Sequence, residues 1–163
     1  MLIEPIDLSV LVATYSALSG VGYKLNTRAP SVASPTGDIK AIDAPGLVQY
    51  LVAQAGGPVV PGTSTEQYYW AKAYRYGEGL ALTALADYAD LATMATTELY
   101  LCVALPGVLG SAVGHSWLVR RASSGVAPST IESAGSEGGV CTRSFDHWDL
   151  RREFYAGFKL VTA

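Results

Sequence analysis

Cysteine is scarce in this chain: Cys102 and Cys141 are the two among 163 residues. Two thiols cannot make a disulfide framework, and their spacing fits no zinc site. One bridge between them stays open at this point, and so does the redox compartment. Charge is scarce as well, at 15% of residues with a formal net charge of −3. The Lys and Arg residues are scattered, so the basic footprint of a nucleic-acid binder is missing. No apolar run is long enough to span a membrane. Met1-Leu2-Ile3-Glu4-Pro5 lacks the basic and apolar regions of a secretory signal, so work outside the cytoplasm would need delivery by other machinery. Internal repeats and Pro/Ser-rich linkers are absent too, and residues 1–163 are expected to form a single domain.

Against these absences, half of the residues are hydrophobic, enough for a sizeable core. Apolar residues recur with helical period from Ile6 to Ser19, and Gly20 and Gly22 end that helix. A loop with Pro30, Pro35 and Gly37 follows. A second helix is predicted from Ala44 to Ala55, with Asp43 as N-cap, Pro45 in the first turn and Gly56-Gly57 as the stop. Ser64-x-x-Gln67 resembles a capping box opening a third helix, which Gly77-Glu78-Gly79 breaks. Leu80 to Ala95 is predicted as a fourth. The period then shortens to alternation, and Glu98–Val103, His115–Arg120, Ser129–Ser133 and Glu153–Val161 read as short strands. Helices followed by strands predict an α+β fold, with N-terminal helices packed on one face of a C-terminal antiparallel sheet.

The informative stretch for chemistry is Ile42-Asp43-Ala44-Pro45-Gly46-Leu47-Val48. It resembles the nucleophile motif of NlpC/P60-type papain-like cysteine peptidases, Asp-Cys-Ser-Gly-hydrophobic. Asp43, Gly46, Leu47 and Val48 match, Ala44 stands at the cysteine position, and Pro45 stands where Ser is usual. A thiol in the first turn of a helix sits among unpaired N–H groups at the positive end of the macrodipole, which favours the thiolate. The same N–H groups can hold an oxyanion. Gly114-His115-Ser116-Trp117 resembles the family's Gly-His at a strand start, which supplies the general base. Glu132, in Thr130-Ile131-Glu132-Ser133, matches the position of the residue that orients it. Gly22-Tyr23 resembles the family's tyrosine near the oxyanion. The order Tyr23, Ala44, His115, Glu132 follows the family over roughly residues 6–135. A Trp-containing His strand and a long insert between helix and sheet depart from it.

The resemblance implies a papain-like NlpC/P60 fold and hydrolysis of an amide bond in peptidoglycan peptides. It assigns catalysis to position 44, His115, Glu132 and Tyr23, and substrate contacts to Asp43, Pro45, Gly46 and Trp117. It requires no metal and no organic cofactor. The partners it implies are the wall peptide and an immunity or delivery protein, with action at the cell wall or periplasm.

Ala44 cannot attack, so two explanations compete. A native cysteine was replaced to disarm the enzyme, or the chain is a natural pseudoenzyme that binds in the same groove. A papain-like amidase, deamidase or acyltransferase with a non-wall substrate is a third reading.

Each element also has a plainer reading. Asp-Ala-Pro-Gly is a common helix start, a strand histidine is usually structural, and Glu132 alone would be a solvated strand residue. Tyr68, Tyr69, Trp70, Tyr74 and Tyr76 read first as packing and second as a groove wall. His147 and the pairs Arg120-Arg121 and Arg151-Arg152 read as surface. Cys102 reads as core, Cys141 as more exposed, and neither precedes a predicted helix.

Overall fold

The computed structural model describes residues 4–74, 85–86, 91–106, 114–147 and 155–163. Among the described residues three α-helices, α1 (Leu8–Ala17), α2 (Ala44–Gln54) and α3 (Ser64–Tyr74), precede the strands of a six-stranded sheet. The strands are β1 (Leu85–Ala86), β2 (Leu99–Ala104), β3 (His115–Arg120), β4 (Ser129–Ala134), β5 (Gly139–Cys141) and β6 (Tyr155–Leu160). Their order is β1-β6-β2-β3-β4-β5, and every pairing is antiparallel. The α+β class and the strand at His115–Arg120 are as predicted.

Alternation splits the sheet into two faces. Leu99, Leu101, Val103, Leu118, Ile131, Phe158 and Leu160 share one buried cluster with Leu47, Val48, Tyr50 and Leu51 of α2. The helices cover that face. Tyr100, Cys102, Ala104, Trp117 and Val119 point the other way and pack with Leu91, Met94 and Phe145. Both faces are therefore buried along β2, which is why its six residues are buried without interruption.

The local signals at α2 act as expected. Asp43 is extended and accepts the Gly46 N–H at 2.7 Å. Gly56, at φ 75°, follows the helix in the left-handed conformation that suits glycine. At α3 the capping pair lies one residue earlier than predicted. The Glu66 N–H donates to Thr63 Oγ1 (3.2 Å), and that hydroxyl donates to Glu66 Oε1 (2.7 Å). Gln67 is buried instead, and its amide donates to the carbonyls of Pro45 and Pro61, both at 2.9 Å.

The predicted helix over Leu80–Ala95 is corrected: Leu85–Ala86 pair with Phe158 and Gly157 as β1. The exposed backbone edge of β6 needs a partner, and that tertiary demand overrides the helical preference of Leu and Ala. Most of the remaining span, with Tyr76, Arg151 and Arg152, lies outside the described residues. Strand β5 was not foreseen, because three residues that open on a Gly138-Gly139 pair carry no readable period. Arg121 is more than a solvated charge, since its guanidinium donates to the carbonyls of Met94, Ser124 and Val126 and pins the turn after β3. Among the described residues no helix is long and apolar enough to cross a membrane.

Segment 21–22 is clamped to β5. The Val140 N–H donates to the Val21 carbonyl at 2.9 Å, and Gly22 bridges both Gly139 and Ala41. Gly139 has φ 143°, and a Cβ there would fall 2.1 Å from the Val21 carbonyl oxygen. Gly139→Ala should therefore destabilise the fold by more than about 2 kcal/mol, combining backbone strain with a clash against main chain. Urea denaturation of the two proteins checks this, and an unchanged midpoint would refute the close approach.

Candidate active site

Residue 44 opens α2 because Asp43 caps it and Pro45 fits the first turn, where a missing N–H costs nothing. Its approach is fixed on three sides. The Ile42 N–H donates to the Gly22 carbonyl (3.0 Å), the Asp43 N–H to the Thr27 carbonyl (2.7 Å), and Ser133 Oγ to the Ile42 carbonyl (2.7 Å). Gly46 is required by crowding: a Cβ there would lie 2.6 Å from Asp43 Oδ1 and 3.1 Å from the Thr27 carbonyl.

A cleft of about 190 Å³ opens over this helix start. Tyr23, Leu25, Asn26 and Arg28 form one wall, Thr63–Thr65 at the start of α3 another, and Pro106 with Gly114 a third, with Asp43, Ala44 and Pro45 between them. Ser116 Oγ donates to Ser64 Oγ at 3.0 Å and ties the α3 wall to β3. Burial pushes the Asp43 carboxyl up, against the hydrogen bond from Gly46. Burial, and then Asp43, push the Tyr23 phenol up.

His115 follows Gly114 at the start of β3, with its side chain 14% exposed. Its Nε2 lies 2.8 Å from Oε1 of Glu132, which is 0% exposed. The plain reading of Glu132 as a solvated strand residue is thus overturned. Glu132 lies opposite Trp117 in the β3–β4 register and shares a face with it and with His115. An ionised carboxylate only accepts, so the proton of a neutral His115 sits on Nε2 and the lone pair on Nδ1. Burial raises the Glu132 carboxyl, but the hydrogen bonds from His115 and Thr130, with the attraction of His115 and Arg143, outweigh it. The net effect holds the group below the ordinary glutamate range.

Trp117 is a correction to the expected substrate contacts. It is 1% exposed and stacks on the His115 ring, with centroids 5.4 Å apart. Alternation places it with His115 on the face of the second core cluster, and Trp117 does not line the cleft. Gly46 is buried and does not line the cleft, whereas Asp43 and Pro45 do. Of the aromatic group on α3, Tyr68 packs against the core and meets Phe158 edge-on, while Tyr69 is exposed. Both cysteines are free. Cys102 is fully buried, and burial drives its thiol far above the ordinary range. His147 is exposed, with its Nε2 2.6 Å from the Arg143 guanidinium. Among the described residues, no group of three His, Cys, Asp or Glu side chains could hold a metal ion.

Sequence reasoning missed Thr130, Arg143 and Ser133. Thr130 was within reach, because residues two apart on a strand share a face. Arg143 comes from beyond β5, and no spacing announces it.

No family model matches the sequence, and no curated protein does. Among solved structures the chain is similar to the P60 domain of the antigen MAP1204 from M. avium subspecies paratuberculosis. That match has 20% identity and a TM-score of 0.49 and covers 84% of each chain. The chain is also similar to the peptidoglycan hydrolase RipB from Mycobacterium tuberculosis, at 20% identity and a TM-score of 0.53. This second match covers 94% of the present chain and 63% of the RipB chain, less than two thirds of it. Helices on one face of an antiparallel sheet, with a histidine strand beside a capped helix start, thus form an α+β fold similar to that of the RipB structure.

Proposed function

We propose that the chain is the catalytic scaffold of a cysteine amidase acting on peptidoglycan peptides, with its nucleophile position filled by Ala44. The observation that carries this reading is the buried pairing of Glu132 with His115 at 2.8 Å, on a strand whose preceding residue, Gly114, lines the same cleft as Ala44. A purely structural histidine does not need a carboxylate that is 0% exposed.

In the reading, a thiolate at position 44 attacks the amide carbon, and the tetrahedral oxyanion meets the backbone N–H of residue 44 and the Tyr23 hydroxyl, since Pro45 has no N–H and the Gly46 N–H is held by Asp43. Protonated His115 gives its proton to the departing amine, which leaves a thioester. His115 then takes a proton from water, the hydroxide attacks the thioester, and the acid product departs with the thiolate restored. Glu132 holds the imidazole and balances its charge throughout. Action at the wall, and a delivery or immunity partner, belong to this reading.

The alanine itself favours a second reading, in which the cleft binds a peptide without cutting it. The experiment is Ala44→Cys, incubated with purified peptidoglycan and followed by mass spectrometry of released material. New peptide fragments that the unchanged chain does not release are the expected result, and their masses name the bond. A folded Ala44→Cys protein that binds peptidoglycan without releasing fragments would put the binding module first.

A further inference from the structure

Four groups surround Glu132 and its partner Thr130, each with a distinct duty. Oε1 faces His115 Nε2 at 2.8 Å. Oε2 accepts from the Thr130 hydroxyl at 2.5 Å, and Arg143 Nε stands 3.6 Å from the same oxygen. The fourth group acts on Thr130 rather than on Glu132: the Arg143 backbone N–H donates to Thr130 Oγ1 at 2.9 Å. Thr130 and Glu132 are both fully buried.

A threonine hydroxyl has one proton and can donate once. The Arg143 N–H can only donate, so it occupies a lone pair of Thr130 Oγ1. The hydroxyl proton is then directed to Glu132 Oε2. A proton on Oε2 would point at this donor and destroy the contact, so the arrangement selects the ionised carboxylate. From these contacts we infer that Thr130 is a positioning residue, whose hydroxyl, polarised by the Arg143 backbone, keeps Glu132 ionised and its Oε1 turned to His115.

This inference rests on the proposed role of Glu132 as the partner of the base, and it adds a residue that the resemblance to cysteine peptidases did not supply. The alternative, that Thr130 is merely a strand residue filling space, predicts no dependence on its hydroxyl. The other ionisable groups that sense Glu132 are Tyr15 on α1, Cys102 on β2 and Cys141 on β5. Burial pushes all three up, so they stay neutral where a lowered carboxyl titrates. His115 and Arg143 are the cationic neighbours of the carboxylate.

The test uses the chain as it stands, with Ala44 in place. Carbon-detected NMR follows the side-chain carboxyl of Glu132 against pH in the unchanged chain, in Thr130→Val and in Thr130→Ser. Valine keeps the shape and removes the donor. We expect Thr130→Val to move the Glu132 midpoint upward by about one unit or more, and Thr130→Ser to return it close to the starting value. A folded Thr130→Val protein with an unmoved midpoint would overturn the inference.

Should the valine variant not fold, the unchanged chain still decides. The Thr130 hydroxyl proton should exchange slowly and lose its protection as pH falls through the Glu132 midpoint. Fast exchange at neutral pH would overturn the inference equally. In the Ala44→Cys background Thr130→Val should lower kcat more than it changes KM. If Ala44→Cys releases nothing from peptidoglycan, the proposed function fails while the Glu132 titration still judges Thr130 alone.

Discussion

His115→Ala in an Ala44→Cys background should lower kcat on peptidoglycan by a factor on the order of 10⁶, leaving what binding and oxyanion contacts supply. Removing the imidazole takes away the base that makes the thiolate and the acid that protonates the leaving amine.

Glu132→Gln should cost less, on the order of 10⁴, and the reason is the tautomer. Thr130 must still donate, since its lone pair is held by the Arg143 N–H at 2.9 Å. The amide oxygen of a glutamine would turn to Thr130, and its NH₂ would face His115. Nε2 would then have to accept, the ring proton would move to Nδ1, and the base would be lost. Adding Thr130→Val should free the amide to rotate and recover part of the activity. Steady-state kinetics on one peptide substrate measures the series. Equal rates for Ala44→Cys with and without Glu132→Gln would remove Glu132 from the mechanism.

Iodoacetamide should label a cysteine at position 44 at least about 10³-fold faster than Cys102 at pH 7. The first turn of α2 presents the positive end of the helix and packs against the strand that carries His115, and both lower a thiol from its free value of about 8.5. Cys102 is fully buried with its thiol driven strongly upward, so it is neither accessible nor ionised. Cys141 is partly exposed but also pushed up by burial, and it should react slowly near neutrality. The rate at residue 44 should rise with pH and level off well below 8.5, and His115→Ala should move that rise to higher pH. Mass spectrometry of labelled peptides reads all three thiols together. Labelling of residue 44 at the rate of an ordinary free thiol would show a helix start that is not built for nucleophilic attack.

The fold was legible where local chemistry and tertiary demand agree. Asp43, Pro45 and Gly56 mark α2 because a cap, a fixed φ and a left-handed stop are properties of single residues. The alternation at 115–120 marks β3 because one face meets helices and the other a second apolar cluster. Leu85–Ala86 were misread because pairing with β6 outweighs their preference for helix. Capping at α3 was misplaced by one residue because Ser64 and Thr63 offer the same hydroxyl, and only the burial of Gln67 decides between them. In the site, the resemblance to the cysteine peptidases singled out His115 and Glu132, and the structure brings the two side chains to 2.8 Å. The inward turn of Trp117 was not legible, since a tryptophan beside a histidine strand suits a groove wall as well as a core.

Ser133 Oγ reaches the Ile42 carbonyl across 91 residues of chain, and Ser116 reaches Ser64 across 52. Consider the order in which these parts leave the ribosome. The helix start at residue 44 emerges first, with its cap but without a base. His115 follows, and its carboxylate comes later on β4, so the loops that join them close late and slowly. A nascent chain carrying a thiol at position 44 would thus hold an ordinary cysteine until the sheet is complete. Activity would appear in one step with folding, and a partly made chain would have none.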